Sequence, residues 1–274
     1  MPSRSPEDGE AIQPGRVYVA PADRHLLLDH GTMRVVFGPR HNRHRPAIDP
    51  FYSASRAFGS RAAGVILAGA LDDGVAGLST IRRRGGHAIV QDPDTTVFHS
   101  MPRHARLVVP DAEMVAPEQL ASAITRAVAL PADGETPPDA RLDRYFKEYL
   151  GQKLDIEAVG APSVYACPEC SGVLWHVDDG QLIRFECRIG HSFTAEGLLA
   201  EHDASVEQAL STALRALEEN ASLQRRVAAR LALLQSSRLA EDLERKIRQL
   251  ESSADVLRGV LARIEKGPEE LDHN

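Results

Sequence analysis

The sequence predicts an α/β protein: a doubly wound parallel sheet, then a small cysteine-bearing module, then long C-terminal helices. Three observations predict it. Over residues 17–128, short apolar runs alternate with helical periodicity, the pattern of a parallel sheet covered by helices. All three cysteines, Cys167, Cys170 and Cys187, fall in one window. From about Thr194 onward, apolar residues recur at three- and four-residue steps, as in helices packed along a seam.

The elements follow in order. "RVYVAP" and "LLLDHGTMRVVFG" predict strands, with "DHG" at Asp29 to Gly31 as a hairpin turn. "DPFYSASRAFGSR" predicts a helix with Asp49 as N-cap and Pro50 at its first position. "AAGVILAG" is too apolar to alternate and predicts a strand buried on both faces. "VAGLSTIRRRGG" is the next helix, stopped by Gly85 and Gly86; "HAIVQD" is a strand and "PEQLASAITRAVA" a helix. Four segments result: an α/β domain at 1–128, a Pro-, Gly- and acid-rich linker at 129–162, the cysteine module at 163–193, and helices at 194–266.

Two helical seams are predicted. One runs through Val206, Leu210, Ala213, Leu217, Val227, Leu231 and Leu234, interrupted by Asn220 and Gln224. The other runs through Leu239, Leu243, Ile247, Leu250, Ala254, Leu257, Leu261 and Ile264. They predict either packing within one helical hairpin or a homodimer. "QSSR" at 235–238 either joins two antiparallel helices or lies inside one long helix.

A net charge of −7 argues against a general nucleic-acid or anionic-membrane binder, which needs a dense basic surface. No apolar run reaches the length of a membrane span, and the N-terminus has no signal-like apolar core. A cytoplasmic location is the expectation. The cysteines cluster in an odd number, which does not suit a disulfide framework. "CPEC" and "FECRIGH" supply Cys167, Cys170, Cys187 and His191, a closed tetrahedral set for a structural Zn²⁺. The module therefore reads as zinc-ribbon-like, with His176 the rival fourth ligand. It carries few basic residues, so nucleic acid is not its expected partner.

"VILAGALDDGVAG", from Val65 to Gly77, delivers Asp72 and Asp73 to the sheet rim, where doubly wound sheets bind ligands. Together with "GRVYVAPADRHLLL", "NRHRPAIDPFYSASRAFG" and "IVQDPDTTVFHSMPRHA", this stretch resembles the CheB-type chemotaxis protein-glutamate methylesterases. The resemblance extends to the zinc segment and helices, which resemble a C-terminal extension seen in a subset of CheB-like proteins. It implies a Ser–His–Asp hydrolase acting on methylated receptor glutamates, with the triad Asp at Asp73 and no metal in the chemistry. The family's Ser and His lie N-terminal to "GRVYVAP", where this sequence has only Met1 to Pro14, and two further family positions fall on Ala68 and Ala70.

The matched sheet is therefore partial. Either the natural protein carries a further half-domain or the chain is a non-catalytic descendant, and the chain alone is expected to be inactive. Either a partner covers the sheet edge left open or the isolated domain is poorly stable. Substitute histidines would come from His25, His41, His44, His87, His99 and His104, and substitute nucleophiles from Ser53, Ser55, Ser79 and Ser100; all read as ordinary surface or loop residues. "RHNRHR" (Arg40 to Arg45) and "RRR" (Arg82 to Arg84) read as solvated faces or as a dock for an acidic receptor helix. Met101 reads as an active-site rim residue or as core. The expected partner is a methyl-accepting receptor or sensor protein. The alternative is a signalling scaffold acting through the zinc module and the helices.

Overall fold

The computed structural model describes residues 2–129, 138–152, 156–158, 160–178, 183–233 and 237–266. It divides into two units, Met1–Leu199 and Ala200–Asn274. Ser3–Arg4 (β1) pairs in parallel with Val17–Tyr18 (β2). The strand predicted in "RVYVAP" is thus cut to two residues, because β1 is equally short and Pro21 follows. His25–Asp29 (β3) and Thr32–Val36 (β4) form the predicted hairpin. Its turn residues His30 and Gly31 both take positive φ, 43° and 94°, as a type I′ turn requires.

A 3₁₀ turn at Asp49–Tyr52 leads into Ser53–Phe58 (α1). Pro50 sits in the first turn as predicted, but Asp49 does not cap this helix: its carboxylate reaches another one. Ala63–Ile66 (β5), Val75–Arg83 (α2), His87–Gln91 (β6), Ser100–Val108 (α3), Glu113–Val115 (β7) and Leu120–Ala129 (α4) complete the α/β part. The strands pair in parallel in the order β5-β6-β7. Strand side chains alternate between faces. Ile66, Ala88 and Val90 accordingly pack with Leu78 of α2 and Met101 and Ala105 of α3. Ile89 and Val115 pack with Ala123 and Ala127 of α4 on the opposite face. Gly64 lets α2 close on the sheet, since a Cβ there would lie 2.8 Å from Leu78. Among the described residues β5 has one strand neighbour, so its other edge is open.

The stretch predicted as a linker contains Ala140–Tyr149 (α5), with Asp139 as N-cap accepting the Arg141 amide at 2.9 Å. Leu142, Tyr145, Phe146 and Tyr149, spaced as one helical face, bury against Leu27 and Tyr52. The Pro- and acid-rich run before it concealed this amphipathic helix. Residues 130–137 of the predicted linker lie outside the described residues.

Gly160–Ala166 (β8), Val173–Asp178 (β9), Ile183–Cys187 (β10) and Ser192–Thr194 (β11) form an antiparallel sheet in the order β11-β10-β9-β8. The tip of the predicted "DDG" turn lies outside the described residues.

Ala195–Leu233 (α6) and Ser237–Lys266 (α7) follow. In the second unit, pairing of Glu218 with Arg258 and of Arg225 with Glu251 fixes the helices as antiparallel. Their seam buries Ala221, Ala228, Ala240, Ile247 and Ala254. Val206, Val227 and Leu239, predicted in the seams, are exposed instead. The alanines let the axes approach and take those places, and Gln224 lies within the seam with its Oε1 buried and unpartnered. No described helix is long and apolar enough to cross a membrane.

Candidate functional site

β5 runs into the turn at Leu67 to Gly74, where Leu71 and Gly74 take positive φ, 58° and 89°. A Cβ on Gly74 would also lie 2.6 Å from Ile48, so both backbone and space require glycine there. The turn aims Asp73 at the start of the Asp49–Tyr52 turn. Its Oδ2 accepts the Ile48 amide at 2.9 Å, and its Oδ1 accepts the Asp49 amide at 3.1 Å. Asp49 answers from the other side, its Oδ1 accepting the Gly77 amide in the first turn of α2 at 2.9 Å. Burial raises both acids above the ordinary carboxylate range, Asp49 further because Asp73 faces it.

Asp72 turns the other way. Its Oδ1 accepts the Thr194 hydroxyl of β11 at 2.8 Å, while its Oδ2 is buried without a partner. Burial pushes Asp72 up to about 6. Thr194 is a junction: its Oγ1 also accepts the Gly197 amide at 3.0 Å and so caps α6, and its own amide donates to Asn42 Oδ1 at 3.1 Å. The Asn42 amide in turn donates to the Ser192 carbonyl at 2.9 Å. The cysteine module is thereby bonded to the rim turn that carries Asp72.

Among the described residues the hydrogen-bond donors to Asp73 are backbone amides, and no imidazole or serine hydroxyl joins them. The substitute candidates serve elsewhere, several of them in the interior rather than on the surface. His25 is fully buried, with Nε2 on the Pro39 carbonyl at 2.8 Å and Nδ1 on the Ala47 amide at 3.3 Å. Burial lowers it to about 4 and holds His41 well below the ordinary imidazole value. Ser53 accepts the Leu28 amide, and Ser55 donates to the Tyr52 carbonyl. His104 Nδ1 meets the Leu71 carbonyl at 3.0 Å, and Ser100 donates to the Gly69 carbonyl. Ser79 is buried in α2. Met101 belongs to the core beneath Gly69.

The basic runs are paired, while Arg40, Arg43 and Arg82 keep 43%, 55% and 39% of their side chains exposed. Arg40 and Arg43 face Glu169 of "CPEC" at 3.6 Å, and Arg45 pairs with Asp23 and lies over Phe37. Arg82 pairs with Asp111, Arg84 with Asp139, and Arg83 reaches the Thr80 hydroxyl.

Cys167, Cys170, Cys187 and His191 converge, with all four candidate ligand atoms within 4.8 Å of one another. The Cys170 and Cys187 sulfurs lie 3.6 Å apart, as do Cys167 Sγ and His191 Nδ1. A tetrahedral ion about 2.3 Å from each sulfur holds sulfurs about 3.8 Å apart, so the set fits one. Two tight turns present it: the Ser171 amide donates to the Cys167 carbonyl, and the Gly190 amide to the Cys187 carbonyl. Ser171 and Gly190 take the positive φ these turns need, 59° and 96°. His176, the rival ligand, meets the Phe185 ring edge to face instead, with centroids 5.8 Å apart.

Thr194 and Asn42 were not singled out as site residues by sequence. Thr194 was legible only as a helix start, and its bond to Asp72 spans too much chain for any local pattern to reveal.

The sequence model of the CheB methylesterase family matches residues 1–124. A protein-glutamate methylesterase/protein-glutamine glutaminase of Xanthomonas oryzae pv. oryzae is 42% identical over 103 residues, 36% of this chain and 29% of that protein. One from Anaeromyxobacter dehalogenans is 46% identical over 103 residues, 36% of this chain and 28% of its own length. The chain thus spans under a third of these curated relatives. The Thermotoga maritima CheB methylesterase catalytic domain is 30% identical, with a TM-score of 0.42 over 45% of this chain and 68% of that one. Over residues 1–124, the chain belongs to the CheB methylesterase family.

Proposed function

We propose that the chain is a protein-glutamate methylesterase homologue of chemotaxis-type signalling that binds methyl-accepting receptors or sensor proteins without itself hydrolysing their glutamyl esters. One observation carries this: Asp73, the position matched to the triad Asp, spends both oxygens on the Ile48 and Asp49 amides. Ester hydrolysis by a triad needs that acid to orient an imidazole, which takes the proton of an attacking serine. Neither partner stands beside it among the described residues. In this reading, residues 1–128 form the methylesterase-type domain, 163–193 a zinc ribbon, and 194–266 a partner-binding helical segment, all in the reducing cytoplasm that keeps thiols free.

Cys167, Cys170, Cys187 and His191 fit a structural Zn²⁺: the donor set is soft, closed and tetrahedral in spacing. The ion would supply folding free energy to a sheet with a small core, and no step of ester hydrolysis.

The test is methanol release from a methylated receptor peptide by the full chain, beside Asp73→Asn. The expected result is no turnover above that variant, with peptide binding retained in both. Turnover that depends on Asp73 overturns the proposal. A second reading, a scaffold acting through its helices, is favoured by the half-open leucine seam of the second unit.

A further inference from the structure

The three thiols of the cysteine module are not equally sheltered. Cys167 and Cys187 are each 2% exposed, whereas Cys170 is half-buried, and its sulfur lies 3.6 Å from Cys187 Sγ. Cys187 and His191 also line a solvent-open cavity of about 350 Å³, wide enough for water or a small oxidant to reach the cluster. The set holds three sulfurs and one imidazole. A disulfide between two of the sulfurs leaves one thiolate and one imidazole, half the donors of a closed tetrahedral ion. One two-electron oxidation is therefore enough to dismantle the site.

The two turns that present these ligands also grip one loop of the α/β part, residues 40–45. Glu169, between Cys167 and Cys170, faces Arg40 and Arg43 at 3.6 Å. Ser192, directly after His191, donates its amide to the Arg40 carbonyl at 3.2 Å and accepts the Asn42 amide at 2.9 Å. Thr194, in the same strand, binds Asn42 and Asp72. Each contact is modest alone. They act together only while both turns keep one geometry, and a shared metal ion is the group that joins the turns.

We propose that Cys170 and Cys187 are a site of oxidation by hydroperoxides, and that their disulfide expels the ion and frees the 40–45 loop and the Asp72 rim from the module. The inference rests on the zinc reading above. The Cys170 thiolate attacks one oxygen of hydrogen peroxide; the O–O bond breaks, a sulfenic acid forms and hydroxide leaves. The Cys187 thiolate then attacks the Cys170 sulfur; the S–O bond breaks and a second hydroxide leaves. Two thiolates lose the two electrons that peroxide gains. Cys167 and His191 remain as the donors that cannot hold Zn²⁺ by themselves.

The experiment takes the full chain, purified reduced and then freed of reductant, and counts its zinc by inductively coupled plasma mass spectrometry before adding equimolar hydrogen peroxide. A metallochromic indicator follows released zinc, peptide mass spectrometry maps the disulfide, and hydrogen exchange at the Asn42 and Thr194 amides reads the rim. The expected result is one zinc released for each Cys170–Cys187 disulfide formed, loss of protection at both amides, and recovery of both on adding a thiol reductant with zinc. Cys170→His keeps four donors without the half-buried sulfur, and is expected to retain its zinc in peroxide. Zinc retained by the oxidised wild type, a disulfide between other cysteines, unchanged protection at Thr194, or equal zinc loss from Cys170→His overturns the proposal. A chain that carries no zinc before peroxide overturns the zinc reading and this proposal with it, so the two failures are told apart by the first measurement.

Discussion

Asp73 and Asp49 exchange helix caps: Asp73, in the turn before α2, binds the amides that begin the Asp49 turn, and Asp49 binds an amide in the first turn of α2. Asp73 holds Ile48 and Asp49, and Asp49 holds Gly77. The positive end of a helix favours a carboxylate, which offsets part of the cost of burying two acids side by side. The exchange brings the two backbones together. A Cβ on Gly77 would lie 2.9 Å from the Asp49 carbonyl oxygen, so this approach requires glycine. The rim acid is therefore the clasp between the Asp49 turn and α2.

The clasp predicts that Asp73→Ala is a folding variant as much as an activity control. It leaves the buried Asp49 amide and the part-buried Ile48 amide without these acceptors, at about 1–3 kcal/mol. The expected outcome is a clearly lowered melting temperature for Asp73→Ala and a smaller loss for Asp73→Asn, which keeps one acceptor oxygen. Equal melting temperatures for wild type and Asp73→Ala would show that the clasp contributes nothing.

Metal removal is the second prediction. Inductively coupled plasma mass spectrometry of the native chain is expected to find one zinc per chain, reduced by Cys170→Ser or Cys187→Ser. Cobalt substitution should give thiolate-to-metal absorption. Chelation should lower the melting temperature and loosen β11, because His191 directly precedes the strand whose Thr194 holds Asp72. Hydrogen exchange at Thr194 reads the second effect. Protection at that amide unchanged by chelation would mean the module stays on the rim without metal.

How legible all this was in the sequence depends on the range of each signal. Local signals read well: the His30–Gly31 turn, the apolar β5, and the cysteine spacing each depend on neighbouring residues. The α5 face was present in sequence as Leu142, Tyr145, Phe146 and Tyr149, but the composition of the run before it dominated the reading. The helical seams were read a residue away from Ala240 because large apolar residues outweigh alanine in any hydrophobic pattern, whereas close helix packing selects the small one. The roles of Asp49, Asp72 and Thr194 were illegible, because polar partners brought together by the fold leave no periodic trace. The Arg40 and Arg43 pairs with Glu169 are of the same kind.

Asp72 carries the last prediction, a pH dependence whose sign follows from burial. Its pKa is raised to about 6 from an ordinary 3.8, chiefly by burial and secondarily by Asp49 and Glu196, against the opposing Thr194 bond and His104. Between those values the folded state holds a proton that the unfolded state has released. The Asp72 contribution to stability is therefore greatest below the lower value, declines as pH rises through the window, and is lost above about 6. Asp72→Asn removes this dependence while its Oδ1 still accepts from Thr194. Its amide also meets the space where Oδ2 has no partner, so the sign of the change at one pH is less informative than the slope. Relative to wild type, the variant is expected to gain up to about 3 kcal/mol between acid and neutral pH. Denaturant titrations of both proteins across that range measure it. Curves that run parallel would mean that Asp72 is not the group whose charge the rim resists.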